Sequence, residues 1–96
     1  MSAPPKFILH SPLSDETCLK AFVEKCLTEN ASLIAVVGLG SAKLEELIDE
    51  IIVGNGEDRS RFVCTTSHPN ETFEDVLSFV TAWNADEGGT IHEARF

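Results

Sequence analysis

Ninety-six residues supply one hydrophobic core and not two, so a single domain over residues 1–96 is expected. Hydrophobic residues at 43% and charged residues at 24% exclude a disordered tract or a collagen-like repeat. Seven Lys and Arg against sixteen Asp and Glu leave a net charge of −9, which repels polyanions and argues against nucleic acid or anionic membrane as a partner.

The opening Met1-Ser2-Ala3-Pro4-Pro5-Lys6 has no apolar segment of signal-peptide length, and no run approaches the ~20 apolar residues of a membrane helix. A soluble, cytoplasmic protein is the expectation. Cys18, Cys26 and Cys64 are odd in number and form no C-x-x-C, and Cys18 and Cys26 stand eight positions, roughly 12 Å, apart along one helix. Three reduced thiols and no structural zinc follow. Asn30-Ala31-Ser32 and Asn70-Glu71-Thr72 match the glycosylation sequon, which carries no weight without secretion.

In chain order, Phe7-Ile8-Leu9 reads as a first strand buried on both faces, ending at His10-Ser11-Pro12. Ser14 stands as an N-cap, with Asp15 and Glu16 in the first turn of a helix whose inward face is Leu19, Phe22, Val23 and Cys26, closed by Asn30. Leu33 to Val37 forms a second strand and runs into Gly38-Leu39-Gly40-Ser41, where Gly40 relieves a tight turn and Ser41 caps the second helix. That helix carries Leu44, Leu47, Ile48, Ile51 and Ile52 inward and stops at Gly54-Asn55-Gly56. Phe62 to Thr66 is the third strand and Ser67-His68-Pro69-Asn70-Glu71 its exit loop. Thr72 with Asp75 resembles a capping box for a third helix that buries Phe73, Val76, Leu77, Val80 and Trp83, with Phe79 at the border. Asp86-Glu87-Gly88-Gly89 breaks it, and Thr90 to Phe96 is an edge strand.

The order β-α-β-α-β-α-β predicts a small three-layer α/β/α domain, Rossmann-like or flavodoxin-like, around a mainly parallel four-stranded sheet. Strand orders 3-2-1-4 and 2-1-3-4 both satisfy right-handed crossovers; the apolarity of the second strand favours the first. Two helices are expected on one face and one on the other.

Ligands of such sheets sit beyond the carboxyl ends of the strands. His10 and His68 lie on that edge, close together if the first and third strands are neighbours, and could then form a base or a metal pair. Metal would need a third ligand from Cys64 or Glu71, neither well placed, so no metal is assigned. Gly38-Leu39-Gly40-Ser41 resembles a dinucleotide fingerprint, but Lys43 replaces the third glycine and no acid is placed to read a ribose. No cofactor is assigned. Cys64 sits where burial raises a thiol, and turn and capping roles account for Ser11, Ser41 and Ser67. The candidate ligand-binding residues are His10, Gly38, Gly40, Ser41, Thr66 and His68.

The second helix carries an anomaly. Glu45 and Asp49, and Glu46 and Glu50, are like-charged i, i+4 pairs, each costing a few tenths of a kcal/mol. Lys43 stands at the positive end of the helix dipole, Asp49 and Glu50 at the negative end, and Glu57 and Asp58 extend the acidity. This surface is either solubilising or a docking face for a basic protein.

Arg61-Phe62-Val63-Cys64-Thr65-Thr66-Ser67-His68, followed by Glu74-Asp75-Val76-Leu77-Ser78-Phe79, resembles a segment of small uncharacterised bacterial α/β proteins in which a strand ends in Thr-Thr-Trp-His. Ser67 stands for the tryptophan, and the match spans about a quarter of the chain. That family has no established activity; the resemblance singles out Thr66 and His68.

The leading expectation is a small acidic, non-enzymatic interaction or regulatory domain that docks a basic partner through Glu45, Glu46, Asp49 and Glu50. The alternative is a small-ligand or anion-binding domain, or a vestigial enzyme, with its site at the strand exits.

Overall fold

Strand β2 (Leu33–Gly38) is an unbroken apolar run, and it takes a position flanked by strands on both sides and helices on both faces. In the computed structural model, which describes residues 4–54, 63–83 and 89–96, it pairs with β1 (Lys6–Ser11) and β3 (Cys64–His68), and β4 (Ile91–Ala94) adds to the far side of β1. All pairings are parallel, and the order is β3-β2-β1-β4. The first of the two orders allowed by the crossover rule is therefore the one adopted.

Side chains alternate across this sheet. Phe7, Leu9, Ile34 and Val36 point to one face, where they pack with Leu19, Phe22, Val23 and Cys26 of α1 (Leu19–Thr28) and Leu44, Ile48 and Ile52 of α2 (Ser41–Val53). Ile8, Leu33, Ala35 and Val37 point to the other, against Val76 and Val80 of α3 (Phe73–Ala82). Crossovers of one hand explain the split: the chain steps from β1 to β3 in one direction, then reverses past β1, so α3 emerges on the opposite face.

Two helix caps differ from expectation, at Ser14 and Ser41, and two, at Asn30 and Thr72, are as expected. Asp15, not Ser14, is the first cap: its carboxylate accepts from the Thr17 amide at 3.0 Å and starts a 3-10 turn, Glu16–Cys18, so that Glu16 precedes α1 rather than opening it. Asn30 closes α1 in left-handed geometry, φ 57°, with Asn30 N donating to Leu27 O and Ala31 N to Cys26 O, the paired bonds of a Schellman motif. Gly40, not Ser41, caps α2; at φ 72° it makes a turn that an L side chain resists, and Ser41 becomes the first helical residue. Thr72 caps α3 through its hydroxyl, which accepts from Asp75 N at 3.1 Å.

Strand ends moved: β1 runs on through His10 and Ser11, and β4 spans only Ile91–Ala94. β3 begins at Cys64 and runs through Ser67 and His68, so these two are strand residues and not an exit loop. Leu77 is 36% exposed. With Val76 and Val80 seated on the sheet, the next position turns about 100° away from it. Lys6 is the residue whose role was hidden: it is 3% exposed, and its ammonium donates to Val80 O at 3.1 Å and to Trp83 O. The last turn of α3 has no basic residue of its own, and Lys6 supplies the cation from β1. The expected Asn55-Gly56 stop, Glu57 and Asp58, Arg61-Phe62, and Asp86-Glu87-Gly88 lie outside the described residues. Among the described residues no helix is long and apolar enough to cross a membrane.

Candidate functional site

His10 pairs with Val37, and Val37 pairs with His68, so the two histidines occupy one row of the sheet on the α3 face. β2 separates them, which puts their Cα atoms about 10 Å apart, two strand spacings. They do not converge. The His10 ring stacks on Phe73 at 5.3 Å, with Nε2 3.5 Å from Glu93 Oε1. His68 leans on Phe79 at 5.0 Å.

His68 is buried and held from both sides: Nε2 lies 2.9 Å from Thr66 Oγ1, and Nδ1 lies 3.1 Å from Glu71 Oε1. The carboxylate can accept only from an Nδ1–H, which leaves Nε2 of the neutral ring to accept from the threonine hydroxyl. The Thr66–His68 contact follows from their i, i+2 spacing on one strand face, and Thr90 Oγ1 meets His92 Nε2 in the same way at 2.8 Å. Glu71, weighed from the sequence as a third metal ligand, is the hydrogen-bond partner of His68. Among the described residues no group of three or more His, Cys, Asp or Glu side chains is arranged to hold a metal ion.

The glycine turn after β2 has a packing explanation. Gly38 has φ +112°, and a Cβ there would lie 2.2 Å from the Ser11 carbonyl oxygen. Ser11 Oγ donates to Leu39 O at 2.6 Å, tying the β1 exit to the β2 exit. Ser41 Oγ is fully buried and has no partner among the described residues. A cavity of about 470 Å3 opens beside this turn, walled by Ser11, Gly40 and Lys43 among others. Neither histidine lines it.

The acidic helix face divides in two. Glu46 and Glu50 are exposed. Glu45 and Asp49 instead turn toward β3, where Glu45 Oε2 and Asp49 Oδ1 lie 2.9 and 2.7 Å from the single hydroxyl of Thr65. One hydroxyl carries one hydrogen and can satisfy one carboxylate at a time. Burial first, then the charges of Glu45 and Asp49, push the Cys64 thiol up from its ordinary value, so the negative field of the pair reaches the neighbouring strand residue. All three cysteines are free. Thr65 was legible as a strand residue, but its tie to α2 depends on strand β3 lying at the sheet edge beside that helix.

The sequence pattern of a domain of unknown function, DUF7684, matches residues 6–94, and the chain belongs to that family. No curated protein and no solved structure matches it.

Proposed function

We propose that this protein is a small interaction domain that docks a basic protein partner along the acidic edge made by α2 and β3. The convergence of Glu45 and Asp49 on the one Thr65 hydroxyl carries the reading. Two like charges brought to one neutral donor raise the free energy of the isolated domain, and a Lys or Arg from outside relieves it. The helix itself offers no such cation: Lys43 is its only basic residue, and its last turn has none. Glu46 and Glu50, exposed on the same helix, add long-range attraction that speeds encounter with a positive surface. β3 adds backbone to this edge, since among the described residues no strand pairs with its outer side.

The experiment introduces a photo-crosslinking residue at Glu46 to capture the partner, then compares association with the wild-type chain and with an E45Q/E46Q/D49N/E50Q variant. The expected result is a basic partner whose on-rate falls steeply with salt for wild type and weakly for the variant. Equal rates and equal salt slopes for the two chains, or a partner without a basic surface, would refute the reading.

A further inference from the structure

β1 lies between β2 and β4, because the chain turns back past β1 after β3. Two helices serve four strands on the α1–α2 face, and beside α1 the β4 side is covered only by that helix's flank. The result is a groove of about 710 Å3 between α1 and the β4 end of the chain, a volume in the range of small-molecule sites.

Its walls are aromatic. Phe7 meets Phe22 edge-on with centroids 5.6 Å apart, Phe22 meets Phe96 at 5.4 Å, and the His92 imidazole stacks on Phe7 at 5.2 Å. Phe7 and Phe22 are buried behind His92 and Phe96, so the exposed His92 and half-buried Phe96 are the rings that a flat guest meets. In a chain with only seven Lys and Arg, two of them, Lys25 and Arg95, belong to this groove. Arg95 Nε donates to Glu93 Oε1 at 3.0 Å, and that carboxylate lies 3.5 Å from His10 Nε2, so the charges of this pair lie toward the α3 face and leave Lys25 as the charge on the α1 side. The Lys25 ammonium has no partner among the described residues and is the free charge of the groove.

We propose that the groove between α1 and β4 binds a planar aromatic carboxylate, its ring against Phe96 and His92, which Phe22 and Phe7 back, and its carboxylate at Lys25. An aliphatic anion would forgo the ring contacts, and a neutral aromatic would forgo Lys25. The site is separate from the acidic edge, which lies across the sheet at β3, so neither proposal depends on the other.

The test uses 2-naphthoate and its neutral counterpart 2-naphthamide, titrated by calorimetry. Cys18, a half-buried thiol in the wall, is the local reporter, read as ligand protection from methanethiosulfonate by peptide mass spectrometry, with Cys64 as the distant control. Expected are saturable 1:1 binding of naphthoate with protection of Cys18 and not Cys64, and a Lys25→Gln loss of about two- to fivefold for naphthoate alone. Ala21→Trp, which fills the groove from an exposed helix position, should weaken both compounds at least about tenfold. Phe96→Ala should weaken both as well, so the proposal remains testable if one variant folds poorly. Absence of saturable binding, equal affinity for the two compounds in wild type, or unchanged binding by A21W and F96A would overturn the proposal. Cys18 protection that rises with protein concentration alone would assign the groove to a second copy of the chain and overturn it too.

Discussion

Gly38 and Gly40 follow one another through the same turn, yet they answer to different constraints. A Cβ at 38 would collide with the Ser11 carbonyl at 2.2 Å, backbone against backbone, while a Cβ at 40 would meet only Ser11 Oγ at 3.8 Å. Gly38→Ala should therefore cost roughly 2–5 kcal/mol, combining positive-φ strain with displacement of β1 from β2. Gly40→Ala should cost only about 1–2 kcal/mol, the left-handed penalty alone. Urea melts of the two variants decide it, and equal losses would mean that β1 yields easily. Cys26 gives a pH dependence. Burial pushes its thiol up to about 12 from an ordinary 9.0. An unfolded chain releases that proton near pH 9.0, whereas the folded chain retains it to about 12. Its contribution to stability is thus complete below pH 9 and declines as the pH rises through that interval. Wild type should lose denaturation midpoint faster than Cys26→Ala between those limits, and parallel curves would show that the thiol ionises without unfolding.

Elements show which sequence signals survive folding. Apolar runs and 3.6-residue stripes located β1, β2 and the three α-helices, because burial against a sheet is the dominant gain and leaves a periodic trace, whereas β3, Cys-Thr-Thr-Ser-His, lies mostly beyond the apolar residues that suggested it. Ile48, fully buried between α2 and the sheet, should lose about 2–5 kcal/mol on change to Ala. Leu77→Ala should lose less than about 1 kcal/mol, since the side chain stands off the sheet. Similar losses at both positions would place Leu77 in a core that the fold does not give it. Lys6 left no such trace: a lysine ahead of an apolar run reads as a solvated flank, and only the arrival of the α3 carboxyl end over β1 makes it a buried donor. Lys6→Met keeps the length and removes the ammonium, taking a charged donor from the carbonyls of Trp83 and of Val80, the latter keeping only its bond from Trp83 N. A loss of about 1.5–3 kcal/mol is expected by thermal or chemical denaturation. A neutral result would mean that water replaces the lysine. The candidate-site residues divide on the same line. Thr66 and His68 were both singled out, but with His68 in an exit loop, so their contact along one strand was not legible, while the Thr65 contact with Glu45 and Asp49, and the separation of His10 from His68, required the strand order.

For the molecule as a whole, the order β3-β2-β1-β4 sets a gradient of stability from the middle of the sheet outward. Phe7, Ile8 and Leu9 of β1 and Leu33 to Val37 of β2 are buried, and both strands are bonded on two sides. In β4, by contrast, no residue is fully buried, and its one partner is β1. The alternative order 2-1-3-4 would have put β2 at an edge and β3 inside, although β2 is the apolar strand and β3 is a Cys-Thr-Thr-Ser-His stretch with one buried residue. Burying β3 on both sides would desolvate hydroxyls, while β2 at an edge would expose apolar surface, and both effects favour the adopted order. Native-state hydrogen exchange reads the gradient directly. Amides of Phe7 to Leu9 and Leu33 to Val37 should exchange only through global unfolding and show the full denaturant dependence, whereas those of Ile91 to Ala94 should exchange through local opening with little dependence. Amides in β3 should fall between, since α2 covers one face of that strand and Thr65 is tied to it. If β4 exchanged as slowly as β2, the fourth strand would belong to the cooperative core, and the groove beside α1 would be a rigid wall of the fold.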